Sequence, residues 1–142
     1  MDIPKLSVTI ITFNEEENIR DCLESVKWAD EIIVVDSFST YRTVEICKQY
    51  TNTVIQRKWS GNVDQKQFAL EQAFGDWILS LDADERLSEG AIREVKAEIK
   101  KHKASVDGYI FPRRAYYLGR WINYGCWYPD RKLRLVRRDT AY

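Results

Sequence analysis

The chain has 142 residues, 44% of them hydrophobic and 31% charged, with a formal net charge of 0. This is the length of one domain with room for a core and the composition of a soluble globular protein; no apolar stretch is long enough to span a bilayer, and residues 1–5 do not read as a signal peptide. Cys22, Cys47 and Cys126 are an odd number without metal-ligand spacing, and they read as reduced core residues of a cytosolic protein rather than as a disulfide framework.

Residues 6–13 predict a first strand. Asn14, with Glu17 three residues on, has the spacing of a capping box and is expected to open a helix. Ile19, Cys22, Leu23 and Val26 recur at helical spacing and give that helix one buried face. Residues 31–36, nearly all β-branched, predict a second strand. A polar turn with Phe38 inside it follows, then a helix over residues 41–50 with Val44 and Cys47 inward.

Residues 53–57 predict a short third strand and residues 59–62 a loop. Residues 63–74 read as helical, with Phe68 and either Leu70 or Glu71 setting the buried face. Residues 76–81 predict a fourth strand, and Ser88 caps a helix running to about residue 101 with Ile92, Val95 and Ile99 on one side. Residues 109–111 and 132–136 read as later strands, the second alternating cleanly.

Strand and helix alternate through residue 102, which predicts an α/β fold with a mostly parallel sheet covered on both faces by helices. Ligands of such sheets gather outside the carboxyl ends of the strands. Asn14, Asp36 and the pair Asp82 and Asp84 each lie at such an end.

Asp82-Ala83-Asp84 directly follows the apolar run ending at Leu81, with Glu85 next. Two carboxylates one residue apart beside a packed core suit Mg2+ or Mn2+, cations that favour oxygen ligands and share them with substrate phosphates. A metal there could bridge to a nucleotide diphosphate, which points to group transfer from an activated donor. On spacing alone, a polar turn fits the same residues equally well. Asp36 likewise fits an ordinary strand-end turn, and Glu15 a helix dipole. Lys66 admits both a ligand contact and a solvated surface. His102 and the lysines around it read as a solvated helix end.

Charge is uneven along the chain. Residues 113–142 hold 8 Lys and Arg against 2 Asp and Glu, whereas the rest holds 14 against 20. The basic part is also aromatic, with Tyr116, Tyr117, Trp121, Tyr124, Trp127 and Tyr128. An acceptor or phosphate site, a surface meeting anionic lipid, an oligomer contact and a solvated face over core all fit. Nucleic-acid binding fits least, because no recognised motif accompanies the charge.

Four stretches together resemble the family 2 inverting glycosyltransferases with the GT-A nucleotide-sugar-binding fold, and most of all the bacterial branch that builds the lipopolysaccharide inner core. They are Ser7-Val8-Thr9-Ile10-Ile11-Thr12-Phe13-Asn14-Glu15-Glu16, residues 28–37, residues 75–85, and Leu118-Gly119-Arg120-Trp121-Ile122. The resemblance implies one GT-A-like domain over 1–142. Residues 1–107 would be its nucleotide-sugar-binding part and residues 108–142 the start of its acceptor part, with the C-terminal half of the fold incomplete.

It implies that Thr12, Asn14, Glu15, Asp36 and Lys66 meet the nucleotide, and that Asp82 and Asp84 bind ribose and, through Mg2+ or Mn2+, the diphosphate. The implied donor is a nucleotide-sugar, UDP-linked. The implied acceptor is a lipopolysaccharide-type or other glycan, reached in the cytoplasm or at the inner membrane surface. A peripheral membrane contact and a homodimer are carried as further expectations.

Two departures from the family matter. Its turn after the second strand commonly reads Asp-Ser-Gly-Ser-Thr-Asp-Arg-Thr, whereas this chain has Phe38 for the glycine and Tyr41 for the second aspartate. Glycine serves where φ is positive or the backbone approaches a ligand, so altered or weakened nucleotide binding is expected. Members of the family also run well past this length and carry the catalytic base in the later part. Neither Asp130 nor Asp139 is assigned as a base here. The expectation from another class is therefore a non-catalytic nucleotide-binding scaffold that self-associates.

Overall fold

The computed structural model describes residues 3–40, 42–101, 108–113, 115–117, 120–122 and 130–138. Among them the elements run β1 (Leu6–Thr12), α1 (Ile19–Val26), β2 (Glu31–Asp36), α2 (Thr43–Cys47), β3 (Val54–Gln56), α3 (Asn62–Glu71), β4 (Trp77–Asp82) and α4 (Glu89–Ile99). Then follow β5 (Gly108–Arg113), β6 (Ala115–Tyr117), β7 (Arg120–Ile122) and β8 (Asp130–Arg137).

The main sheet has the order β3-β2-β1-β4-β8-β5. Strands β1 to β4 are parallel, and β8 runs antiparallel to both β4 and β5. Strands β6 and β7 form a separate hairpin, pairing Tyr116 with Trp121. The sheet is thus mostly parallel, as expected, with its antiparallel part confined to the later strands.

The apolar strands are explained by burial on both faces. On one face Leu6, Val8, Ile10, Leu79 and Leu81 pack with Ile19, Cys22, Leu23 and Val26 of α1 and with Val95 and Ile99 of α4. On the other, Ile11, Ile33, Val35 and Ile78 pack with Ala69 and Ala73. Each large side chain so enclosed contributes about 1.5–3 kcal/mol. Ile32 and Val34 belong to the first layer and Ile33 and Val35 to the second, so β2 has no solvent face and its sequence no polar alternation. Gly75 admits no side chain: a Cβ there would lie 2.7 Å from the Ser7 amide nitrogen.

Three local expectations are corrected. Asn14 does not cap α1. Its φ is +50°, and the helix begins at Ile19 with Asn18 at the cap position, without a side-chain cap bond. The Asn14 carboxamide is drawn instead to the turn after β2, and asparagine tolerates a left-handed backbone. The second helix is confined to Thr43–Cys47, and its buried side is Thr43, Ile46 and Cys47, with Val44 only half-buried. In α3 the fully enclosed residues are Gln65 and Ala69, while Phe68 and Leu70 pack at the margin. Small residues let that helix lie close on β1 and β2. The cap at Ser88 is as expected, its hydroxyl accepting from the Ala91 amide at 3.1 Å.

Candidate functional site

Parallel pairing sets Thr12 beside Asp36 and Ile11 beside Asp82, so β1, β2 and β4 all end on one rim. The turn after β2 is the first wall of that rim. Asp36 is fully buried, and its carboxylate accepts from the Ser39 amide at 2.9 Å and from the Ser39 hydroxyl. The same hydroxyl accepts from the Asn14 amide at 2.8 Å. The Asn14 Oδ1 in turn accepts from the Thr40 amide at 2.7 Å. Asp36 therefore anchors its own turn, and Asn14 ties that turn to β1.

Phe38 sits at the crest of this turn with φ +58° and its ring exposed. A left-handed backbone costs a non-glycine residue about 1–2 kcal/mol. The Ser39 bonds to Asp36 and Asn14 hold it there. This is the backbone geometry for which a glycine was expected. Tyr41 lies outside the described residues.

Glu15 is half-buried; its amide donates to the Thr43 hydroxyl at 3.2 Å, and its carboxylate accepts from the Asn18 side chain at 2.9 Å. These bonds join the start of α1 to α2. Below them Thr12 is 6% exposed, and its hydroxyl oxygen has no hydrogen-bond partner among the described residues.

The second wall is the turn after β4. Lys66, from α3, is mostly buried and places its Nζ 3.3 Å from Asp82 Oδ1. It does not stand on a solvated surface. Asp82 Oδ1 is itself buried and accepts no hydrogen bond from the described residues, so the ion pair is close but unaligned. Asp82 Oδ2 lies 3.8 Å from the Arg134 guanidinium. The Asp82 amide donates to Glu85 Oε1 at 2.8 Å, and Glu85 Oε2 accepts from Arg134 at 2.8 Å. Asp84 is exposed and makes no hydrogen bond or ion pair with the described residues.

Thr12 Oγ1 and Asp82 Oδ1 are the two buried side-chain oxygens without a hydrogen bond among the described residues, although Asp82 Oδ1 has the Lys66 ammonium 3.3 Å away. Both occur on this rim. A buried hydroxyl left without a hydrogen bond, as at Thr12, costs about 1–3 kcal/mol, a cost that a bound group would relieve.

The carboxylates suit a hard divalent cation. No three His, Cys, Asp or Glu side chains among the described residues close on one point. An open Asp84 beside an underused Asp82 oxygen nevertheless matches Mg2+ or Mn2+, which take one or two carboxylates and complete their shell with phosphates and water.

The thiols lie behind the site, not in it. Cys22 and Cys47 are buried and free. Desolvation pushes the Cys47 thiol up to about 12, with the Asp36 charge adding to the shift. Cys22 is raised further, by desolvation first and then by the charge of Glu85. Neither can serve as a thiolate at neutral pH.

Gln65 and Arg134 were not singled out from sequence, and Glu85 was noted there only as the residue after Asp84. Gln65 is fully buried; it donates to the Ser37 hydroxyl at 3.0 Å and accepts from Arg57 at 2.7 Å. It braces the first wall from α3. Arg134 reads as one polar position in an alternating strand. Its burial follows from β8 lying between β4 and β5, a neighbourhood no local pattern discloses. His102, Tyr124, Cys126, Trp127, Tyr128 and Asp139 lie outside the described residues. No helix among the described residues is long and apolar enough to cross a membrane.

Comparison with known proteins gives this rim a context. The family described as Glycosyl transferase family 2 matches residues 7–140. The lipopolysaccharide core biosynthesis glycosyltransferase LpsC of Rhizobium meliloti is 38% identical, over 98% of this chain and 54% of that protein. The chain thus spans about half the length of this curated relative. Crystals of Staphylococcus aureus TarS 1–349 in complex with UDP-GlcNAc superpose with a TM-score of 0.60 at 31% identity, over 69% of this chain and 32% of that one. The mannosyltransferase PcManGT of Pyrobaculum calidifontis, in complex with GDP-Man and Mn2+, shares the fold with a TM-score of 0.63 at 22% identity, over 76% of this chain and 35% of that one. Family match, relative and fold agree: the chain belongs to glycosyltransferase family 2.

Proposed function

We propose that this rim binds a nucleoside diphosphate sugar, UDP-linked, and that the chain takes part in transferring its hexose to a lipopolysaccharide-type glycan with inversion. The observation that carries this reading is the pair of buried oxygens without a hydrogen bond among the described residues, Thr12 Oγ1 and Asp82 Oδ1, at the end of adjacent parallel strands, the second with Lys66 beside it. Support also comes from the UDP-GlcNAc held by TarS and from the lipopolysaccharide role named for LpsC.

In this reading Asp36, Thr12, Asn14 and Glu15 form the nucleoside side of the pocket. Lys66 and Asp82 form its phosphate side. Asp84, with Asp82, would hold Mg2+ or Mn2+, which supplies charge neutralisation to the departing diphosphate. Lys66 adds a fixed positive charge toward the same phosphates. Residues 1–107 would hold the donor, and residues 108–142 would begin the acceptor part.

The test is transfer and hydrolysis of radiolabelled UDP-glucose, with and without lipopolysaccharide core acceptor and Mn2+. Metal-dependent release of UDP supports the enzyme. Tight UDP binding with no sugar moved under any condition supports a non-catalytic scaffold instead.

A further inference from the structure

We propose that Arg134 is a positioning residue for the metal and diphosphate, acting through Asp82 and Glu85; this rests on the donor-site reading above. Arg134 comes from β8, in the later part of the chain, and its side chain is only 9% exposed. A buried guanidinium is costly unless it is paired. Its partners among the described residues are two of the three acids at the β4 turn: Glu85 Oε2 at 2.8 Å and Asp82 Oδ2 at 3.8 Å. Glu85 passes the restraint on, because its other oxygen accepts the Asp82 amide at 2.8 Å. One arginine thereby restrains the backbone at Asp82 through Glu85 and sets its charge within ion-pair range of the Asp82 carboxylate.

The arrangement also divides the charge of the turn. Lys66 faces one Asp82 oxygen and Arg134 the other, and Arg134 faces Glu85 as well. Asp84 alone points its charge to solvent unopposed by a described cation. The consequence is a balance between two ligands of opposite sign. Extra negative charge in the turn favours a lone divalent cation and disfavours the diphosphate that must share it. Arg134 holds the turn on the side that admits the diphosphate.

The experiment is calorimetric titration of the chain with MnCl2 alone, and with UDP in saturating Mn2+, for the parent, Arg134→Met and Glu85→Gln. Arg134→Met should weaken UDP binding about tenfold while leaving affinity for Mn2+ alone equal or tighter. Glu85→Gln keeps an acceptor for the Asp82 amide but removes a charge. It should weaken Mn2+ alone about threefold without weakening UDP.

A merely structural arginine would lower both constants together, and that result overturns the proposal. So does an Arg134→Met protein with both constants unchanged. If Arg134→Met does not fold, Glu85→Gln decides: unchanged Mn2+ affinity overturns the proposal. A parent that binds Mn2+ but not UDP refutes the donor-site reading and with it the role of Arg134 toward the diphosphate, whereas a parent that binds both, with UDP binding unchanged in Arg134→Met, overturns the Arg134 proposal alone. A parent that binds neither overturns both.

Discussion

Lys66 Nζ and Asp82 Oδ1 lie 3.3 Å apart, the end of a helix-borne side chain meeting the last residue of β4. Strand β1, whose Ile11 pairs with Asp82, carries Thr12 on the same rim. A lysine so placed can neutralise Asp82 when the site is empty and turn to a phosphate when it is filled. Lys66→Met should reduce UDP affinity in Mn2+ about tenfold, the scale of one charge-assisted contact. Isothermal titration measures it; an unchanged dissociation constant would remove Lys66 from the site.

Phe38 carries strain that its exposed ring does not repay by burial. Phe38→Gly should raise stability by about 0.5–1 kcal/mol, the left-handed penalty less the entropy that glycine loses on folding. Urea denaturation gives the number. A loss of stability would show that the ring packs against something that outweighs the backbone cost.

Gln65 is a buried polar side chain whose partners would be stranded without it. Gln65→Leu leaves the Ser37 hydroxyl and one Arg57 N–H short of a bond, and a cost of about 1–3 kcal/mol is expected. The same variant should loosen the turn that follows Asp36, so UDP affinity should fall along with stability. Denaturation and titration on one preparation check both. Stability unchanged from the parent would contradict the bracing role.

The buried thiols give a pH signature. Folding raises their pKa above the ordinary value of 9.0, with Cys47 reaching about 12. The unfolded chain therefore releases these protons first. Their contribution to stability is complete below pH 9 and is lost as pH rises toward 12. Iodoacetamide at pH 9 should label Cys22 and Cys47 far more slowly in the native protein than in urea, read by peptide mass spectrometry. Equal rates would mean the thiols are accessible.

What the sequence discloses here follows from range. β1, β2 and β4 are legible because double-sided burial demands apolar strands broken at most by a small hydroxyl residue such as Ser7, Thr9 or Ser80, and those strands end at Thr12, Asp36 and Asp82. The rim follows once the strands are parallel. Asn14 misleads because a local capping pattern loses to a nonlocal bond with Thr40, 26 residues away. The small face of α3 is hidden because Gln65 looks polar until Ser37 and Arg57 meet it. Arg134 depends on sheet order, which alternation within β8 cannot reveal. The glycine-like demand at position 38 was legible only through resemblance, and φ of +58° gives it a physical basis.

The central claim is that the acids after β4 hold a divalent cation that grips a diphosphate. Its most direct test is the UDP dissociation constant of the parent and of a chain carrying both Asp82→Ala and Asp84→Ala, each with Mn2+ and with EDTA. The account predicts that Mn2+ tightens UDP binding to the parent about tenfold or more and does nothing for the double variant. Equal tightening of both proteins by Mn2+ would contradict it.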